Sequence, residues 1–269
     1  MAIPEAFYTQ AQLLSVLGQD TYFRLVILFS SVFIGILACT TVYNIMNAAG
    51  PLVSVYSKLS KAEKIEWGNR GFSTAHSIMI SAAAIYFIFF SDLFKDASPY
   101  GPVVFRSSLL SEIILGISVG YFIADLSMIL WFYPTLGGKE YIVHHGLSVV
   151  SLTLSIYGEE GIFYVYMLLL SESTTPFVNL RWYLCTMGLK KSTAYIVNGI
   201  FLFLGWMLAR ILLFVFFFLH LYKHYDQVQR MHAALHYCVL LVPPCLAVLN
   251  VAWFLKILMG LLKIIFSKL

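Results

Sequence analysis

Seven apolar stretches of about twenty residues, separated by short polar connections, decide what this chain can fold into. They run from Tyr22 to Ile45, Ser73 to Phe90, Ser111 to Trp131, Ile142 to Tyr157, Ile162 to Leu184, Ser192 to His220 and Ala233 to Leu255. Hydrophobic residues make up 60% of the chain and charged residues 11%, and the mean hydropathy is +0.84. No water-soluble domain of this length can hide that much apolar surface in one core, so the expected solvent is a lipid bilayer. Hydrocarbon offers the backbone no hydrogen-bond partner, which leaves helices or a closed barrel, and these runs are far longer than barrel strands. The expected fold class is all-α: a polytopic integral membrane protein of about seven transmembrane helices.

Residues 1–21 carry Glu5 and Asp20 and no Lys or Arg, unlike the basic start of a secretory signal, and are read as a retained N-terminal segment. Residues 22–258 form one transmembrane domain and 259–269 a C-terminal tail, with no repeat and no loop long enough for a soluble domain. The hinge Gly158-Glu159-Glu160-Gly161 leaves so little chain that the fourth and fifth spans must form a tight helical hairpin. Seven spans place Lys58, Lys61, Lys64, Arg70, Lys139, Arg181, Lys190, Lys191, Lys256, Lys263 and Lys268 on one side, and Arg24, Lys95, Arg106, Lys223 and Arg230 on the other. The positive-inside rule then puts the N-terminus in the lumen and the C-terminus in the cytosol. The net charge of +4 lacks the dense basic runs of a nucleic-acid binder.

Ionisable groups at membrane depth cost at least ~2.5 kcal/mol each on insertion scales, so they normally face the bundle interior and mark function. Here they are His76, Asp125, His144, His145, Glu172 and Arg210. Asn69, Ser73 and His76 fall at i, i+4 and i+7, one polar stripe of a helix. His144, Ser148, Ser151 and Ser155 repeat the pattern on the fourth span, against a Leu, Val and Ile face. Serines in such a stripe are more often glue between helices than chemistry. Two imidazoles with two carboxylates are different, because at neutral pH they supply an acid, a base and a nucleophile. Neighbours on a helix point about 100° apart, so only one of the histidines can head the serine stripe, and that one is His144. Pro176, four residues after Glu172, must break the helical ladder, and a broken helix at membrane depth is tolerated where it lines a cavity.

His220 with His224 and His232 with His236 are each spaced i, i+4, as helical metal ligands are. They border the sixth loop, at the opposite end from His144 and His145, and snorkelling interfacial histidines are the favoured reading; no metal is expected. Cys39, Cys185, Cys238 and Cys245 show no C-x-x-C spacing and are read as packing residues. A retinal-binding receptor is excluded on position, since Lys256 lies at a helix end rather than at mid-membrane.

The motifs resemble those of the TLC-domain family, the group of ceramide synthases and the translocating-chain-associating membrane protein. The carriers are Ile65-Glu66-Trp67, Ser73-Thr74-Ala75-His76-Ser77, Gly120-Tyr121-Phe122-Ile123-Ala124-Asp125-Leu126, His144-His145, and Ser171-Glu172 leading to Pro176-Phe177-Val178-Asn179-Leu180-Arg181-Trp182, completed by Asn198-Gly199, Arg210, Asn250 and Trp253. The resemblance spans roughly Lys58 to Lys256. It implies a TLC-type helical barrel in the endoplasmic reticulum or another endomembrane, handling long-chain lipids. Ceramide synthases use a histidine pair for acyl transfer from acyl-coenzyme A, and His144 and His145 match that pair. The match breaks at Ser171-Glu172 and Thr174 or Thr175, where ceramide synthases carry His-Asp and a further Asp, so sphingoid-base acylation is not carried over.

The resulting expectation is an acyl-coenzyme A-dependent lipid acyltransferase acting in membrane lipid homeostasis. Catalytic residues would be His144, His145, Asp125 and Glu172, and substrate-binding residues His76, Ser148, Ser151, Asn179, Arg181, Asn198, Arg210 and Asn250. No resident cofactor is expected; long-chain acyl-coenzyme A enters as co-substrate, with Lys139, Arg181, Lys190 and Lys191 suited to its anionic head. Partners are membrane lipids and not nucleic acid, and a homo-oligomer is compatible with the sequence. The rival reading is a non-catalytic protein that binds, senses or traffics lipid and regulates membrane composition.

Overall fold

The computed structural model describes residues 10–95 and 101–266. Part of the N-terminal segment (1–9) and the end of the tail, with Lys268, lie outside the described residues. What is described is helical: α1 (Gln10–Ala49), α2 (Lys61–Ile85), α3 (Leu109–Trp131), α4 (Lys139–Gly158), α5 (Ile162–Leu169), α6 (Thr175–Thr186), α7 (Thr193–Trp206), α8 (Leu213–Lys223), the single turn α9 (Tyr225–Val228) and α10 (Ala233–Phe266). Among the described residues five helical segments are long and apolar enough to cross a membrane, Tyr22–Leu52, Lys61–Phe90, Leu109–Trp131, Thr193–Lys223 and Ala233–Leu262. The other two expected spans are also helical, but α4 carries a polar face and α5 is parted from α6 by a 3-10 turn at Leu170–Thr174.

Local chemistry sets these boundaries. Ser60 accepts from the Glu63 amide while Glu63 accepts from the Ser60 amide, a reciprocal cap that starts α2 after a basic loop. Ser108 and Ser111 do the same for α3, and Ser192 caps α7. The hinge turns α4 into α5 with Glu159 at φ 56° and Gly161 at φ 70°, left-handed positions that reverse the chain within three residues. The break expected near Pro176 falls at the 3-10 turn that holds Glu172, and Pro176 sits in the first turn of α6, where its missing N–H costs nothing. A π-turn at Met207–Leu212 joins α7 to α8 and carries Arg210.

Glycines let α1 lie directly against α3. A Cβ at Gly120 would strike the Val32 carbonyl, one at Gly35 the Ile117 carbonyl, and one at Gly116 the Ser31 side chain. The Gly116-x-x-x-Gly120 spacing puts both glycines on one face, as close helix pairs in lipid require. Behind this pair Phe122, Tyr164, Tyr166 and Phe217 fill the bundle, and the Tyr166 hydroxyl donates to the Ser111 carbonyl at 2.8 Å.

The two ends of the bundle differ. At the end where α4 stops, Arg106 is buried and donates to the carbonyls of Gly101, Leu93 and Lys95, the Gly161 amide donates to the Val104 carbonyl, and Arg24 pairs with Glu159. At the end where α4 starts, a cavity opens among α2, α3, α4, α6, α7 and α10.

Candidate functional site

Two buried ion pairs, carried by different helices, converge on the wall of this cavity. The first begins on α3, where Asp125 lies one turn beyond Tyr121. Asp125 Oδ1 accepts from the Asn69 amide of α2, and its Oδ2 lies 2.8 Å from His145 Nε2. His145 Nδ1 lies 2.9 Å from the Tyr141 carbonyl. A carbonyl only accepts, so Nδ1 carries a ring proton, and Nε2 is taken up by the Asp125 carboxyl group. No lone pair of His145 is left for a substrate.

His144 differs from its neighbour. Its Nε2 is 3.8 Å from Glu172 Oε1, beyond hydrogen-bond length, and its Nδ1 is buried without a partner in the described structure. The second pair stands opposite it: Arg210 Nη2 lies 3.4 Å from Glu172 Oε1, and Thr175 donates to Oε2 at 2.8 Å. Arg210 is fixed by two further bonds, Nε to Thr174 Oγ1 at 2.8 Å and Nη1 to Asn250 Oδ1 at 3.0 Å, and its guanidinium covers the Trp206 ring. The four donor and acceptor groups that hydrocarbon would leave stranded are thus matched to one another, and of the two rings that line the cavity the one left uncommitted is His144; the ring nitrogens of His76, outside the lining, are also without a partner among the described residues.

The cavity has a volume of about 800 Å³. One wall is polar, with Asn69, Arg70 and Ser73 of α2, Asp125 of α3, His144 and His145 of α4, Glu172, and Asn179 and Arg181 of α6. The facing wall is apolar, with Ile196, Ile200 and Leu202 of α7 and Trp253, Ile257 and Leu261 of α10. All four residues expected to be catalytic line it, as do Asn179, Arg181 and Arg210. Ser148, Ser151 and Asn250 instead line a narrow pocket of about 30 Å³ that also touches His144 and Glu172. Ser148 and Ser151 donate to the His144 and Leu147 carbonyls of their own helix. Asn198 donates to the Phe177 carbonyl and fastens α7 to α6, and His76 stacks flat on Tyr121 with centroids 3.7 Å apart; neither lines the cavity.

Sequence reasoning missed Glu66, Tyr141, Tyr195, Trp206, Lys256 and Gly260 as cavity residues. For α10 a signal existed: Trp253, Lys256, Ile257, Gly260 and Leu261 fall at i, i+3, i+4, i+7 and i+8, one helix face. Lys139, Lys190 and Lys191 are exposed at the same end of the bundle and do not line the cavity. At the other end His220 and His224 stack at 4.1 Å, and Nδ1 of His224 and of His236 faces a backbone carbonyl. Among the described residues no group of three His, Cys, Asp or Glu is placed to hold a metal ion.

A multi-pass helical bundle with a histidine pair and a proline-broken helix around one amphipathic cavity defines a class of membrane protein. The TLC domain family model matches residues 66–259, most of the chain, and the chain belongs to that family. It is 29% identical to TLC domain-containing protein 4 of Homo sapiens over 213 residues, which cover 78% of this chain and 79% of that protein. It is 25% identical over 221 residues to TLC domain-containing protein 4-B of Xenopus laevis, covering 81% and 82% of the two chains. No solved structure matches the chain at a significant level.

Proposed function

We propose that the cavity is the active site of an acyl-coenzyme A-dependent lipid acyltransferase, with His144 as its nucleophile. The observation that carries this reading is the uncommitted imidazole of His144 in the wall of a cavity that is polar on one side and apolar on the other. An unprotonated ring nitrogen attacks the thioester carbonyl, the C–S bond breaks, and the ring's other proton leaves with the coenzyme A thiolate. An acceptor hydroxyl or amine then takes the acyl group and returns a proton to the ring. The His145–Asp125 pair holds the adjoining turn of α4 in place, and Glu172 with Arg210 balances the charge that develops on His144. Exclusion of water by the apolar wall lets an acyl-imidazole survive until the acceptor arrives.

Lys139, Lys190 and Lys191 suit the anionic head of acyl-coenzyme A arriving from the cytosol, with the chain end of α10 on that side and the N-terminus in the lumen. An endomembrane such as the endoplasmic reticulum fits this arrangement. One observation favours the non-catalytic reading: both oxygens of Glu172 are already engaged, by Arg210 and Thr175, so this carboxylate is not a free base. Intact-mass analysis of purified protein incubated with a long-chain acyl-coenzyme A decides between them. An acyl mass that maps to His144 and is lost in His144→Ala supports transfer. Wild-type protein that gains no acyl mass and makes no product supports binding alone.

A further inference from the structure

The apolar wall is incomplete. α7 and α10 touch where the Trp206 indole donates to the Asn250 carbonyl at 3.0 Å and where Phe203 stacks on Phe254 with centroids 5.4 Å apart. From that level towards the start of α7, cavity lies between them, bounded by Ile196 and Ile200 on one side and by Ile257 and Gly260 on the other. Ile196 and Ile200 line the cavity and are still 42% and 48% exposed, so they stand at a mouth and not in an interior. A Cβ built on Gly260 meets nothing within 4 Å. The segments Thr193–Lys223 and Ala233–Leu262 that carry this mouth are long and apolar enough to cross a membrane, so the mouth is placed to face lipid.

Two cations flank the gap. Arg181 reaches from α6 across α7, its guanidinium 4.0 Å from the centroid of the Tyr195 ring and packed against Gly199. Lys256 stands on the α10 side. Neither has a carboxylate within 4.0 Å among the described residues, whereas Arg70, Lys95 and Arg210 each do. Both lie in the last few turns of their helices, from which long cationic side chains can snorkel towards lipid head groups. A planar guanidinium and an ammonium around an apolar slot match a phosphate attached to a hydrocarbon chain.

We infer that the gap between α7 and α10 binds a phosphate-headed lipid of the surrounding leaflet, with its chain against Ile196, Ile200 and Ile257 and its phosphate between Arg181 and Lys256. This deepens the proposed function and rests on it in one respect, that the cavity handles lipid: the acyl donor enters from water, and the second lipid enters sideways from the membrane.

The test is native mass spectrometry of the full chain in maltoside micelles, without acyl-coenzyme A, titrated with dioleoyl phosphatidic acid, dioleoylglycerol or inorganic phosphate. Phosphatidic acid should bind wild type and bind dioleoylglycerol's site at least about tenfold more tightly than dioleoylglycerol does, the margin expected of charge-assisted hydrogen bonds. Affinity should fall about tenfold in Arg181→Gln/Lys256→Gln, which removes the head-group contacts, and comparably in Gly260→Phe, which fills the slot. Gly146→Phe, on α4 where a Cβ also meets nothing within 4 Å and outside the cavity lining, serves as the control for adding a ring to the bundle. Phosphatidic acid binding that is unchanged in both variants overturns the inference. So does inorganic phosphate that displaces the lipid at equal concentration, which would make the cations a plain anion site. Acylation of His144 is measured separately, so either idea can fail while the other stands.

Discussion

The two ends of this bundle are built from the same kinds of residue and do opposite things. Where α4 meets α5, Arg106 is spent on three backbone carbonyls of a loop, Glu159 on Arg24 and Ser107, and Glu160 on the His232 amide. Each of these three charges ties one segment to another. At the other end Arg181 and Lys256 have no acidic partner among the described residues, His144 has an idle nitrogen, and the helices stand apart around about 800 Å³. Charges satisfied by backbone tie segments together, and charges without an acidic partner at a cavity wall are the ones that the proposed acyl donor and lipid would use.

This contrast can be broken by substitution. The largest effect belongs to the open end and to chemistry: His144→Ala should lower acyl transfer by several orders of magnitude, as loss of a nucleophile does, with little change in thermal stability. His145→Ala should impair transfer and also destabilise, since it leaves Asp125 a buried unpaired charge, a loss of about 3–5 kcal/mol. If His145→Ala is the more stable and less active of the two, the roles given to the neighbours are reversed. Unfolding followed in detergent by tryptophan fluorescence, with product assayed in parallel, separates these outcomes.

At the closed end the effect should fall on stability alone. Arg106→Ala strands three carbonyls and should cost about 2–4 kcal/mol, while Arg181→Ala at the open end should cost less than about 0.5 kcal/mol. Equal costs would mean that the ends are not different in kind. Between them, Gly120→Leu should force α1 away from α3 and cost about 1–3 kcal/mol, with no preference for substrate or lipid. The smallest effect is expected of Pro176→Ala, because Pro176 already occupies a first-turn position; bound lipid should change more than folding does. Lipid occupancy unchanged in a folded Pro176→Ala protein would reduce the break to packing.

The comparison also shows what the chain disclosed before its structure. Five of the seven expected spans, the tight hinge at 158–161 and the break near Glu172 were legible because each is written in neighbouring residues: apolar runs, paired glycines, a proline. Asp125, His144, His145 and Glu172 could be grouped because ionisable residues at membrane depth are few. Their roles were less accessible. His145 is committed by the Tyr141 carbonyl, a backbone group that no side-chain pattern announces, and Arg106 is committed by loop carbonyls in the same way. Ser148 and Ser151 read as a wet stripe, yet their hydroxyls turn back onto α4, which satisfies them without a ligand. Lys256 was legible only as a basic residue near a helix end, since its place beside the gap depends on how far α10 leans from α7.

The central claim is that the cavity opens at the Lys139 end, which the proposed topology places in the cytosol, and is shut at the other. With Cys39, Cys185, Cys238 and Cys245 replaced by alanine, single cysteines at Val178, in the cavity wall, and at Val104, buried beneath the closed end, can be exposed to a membrane-impermeant maleimide in sealed, cytosol-side-out microsomes. The account predicts that Val178→Cys is labelled without permeabilisation and protected by long-chain acyl-coenzyme A, and that Val104→Cys is labelled from neither side. Val178→Cys labelled only after the membrane is opened would contradict it.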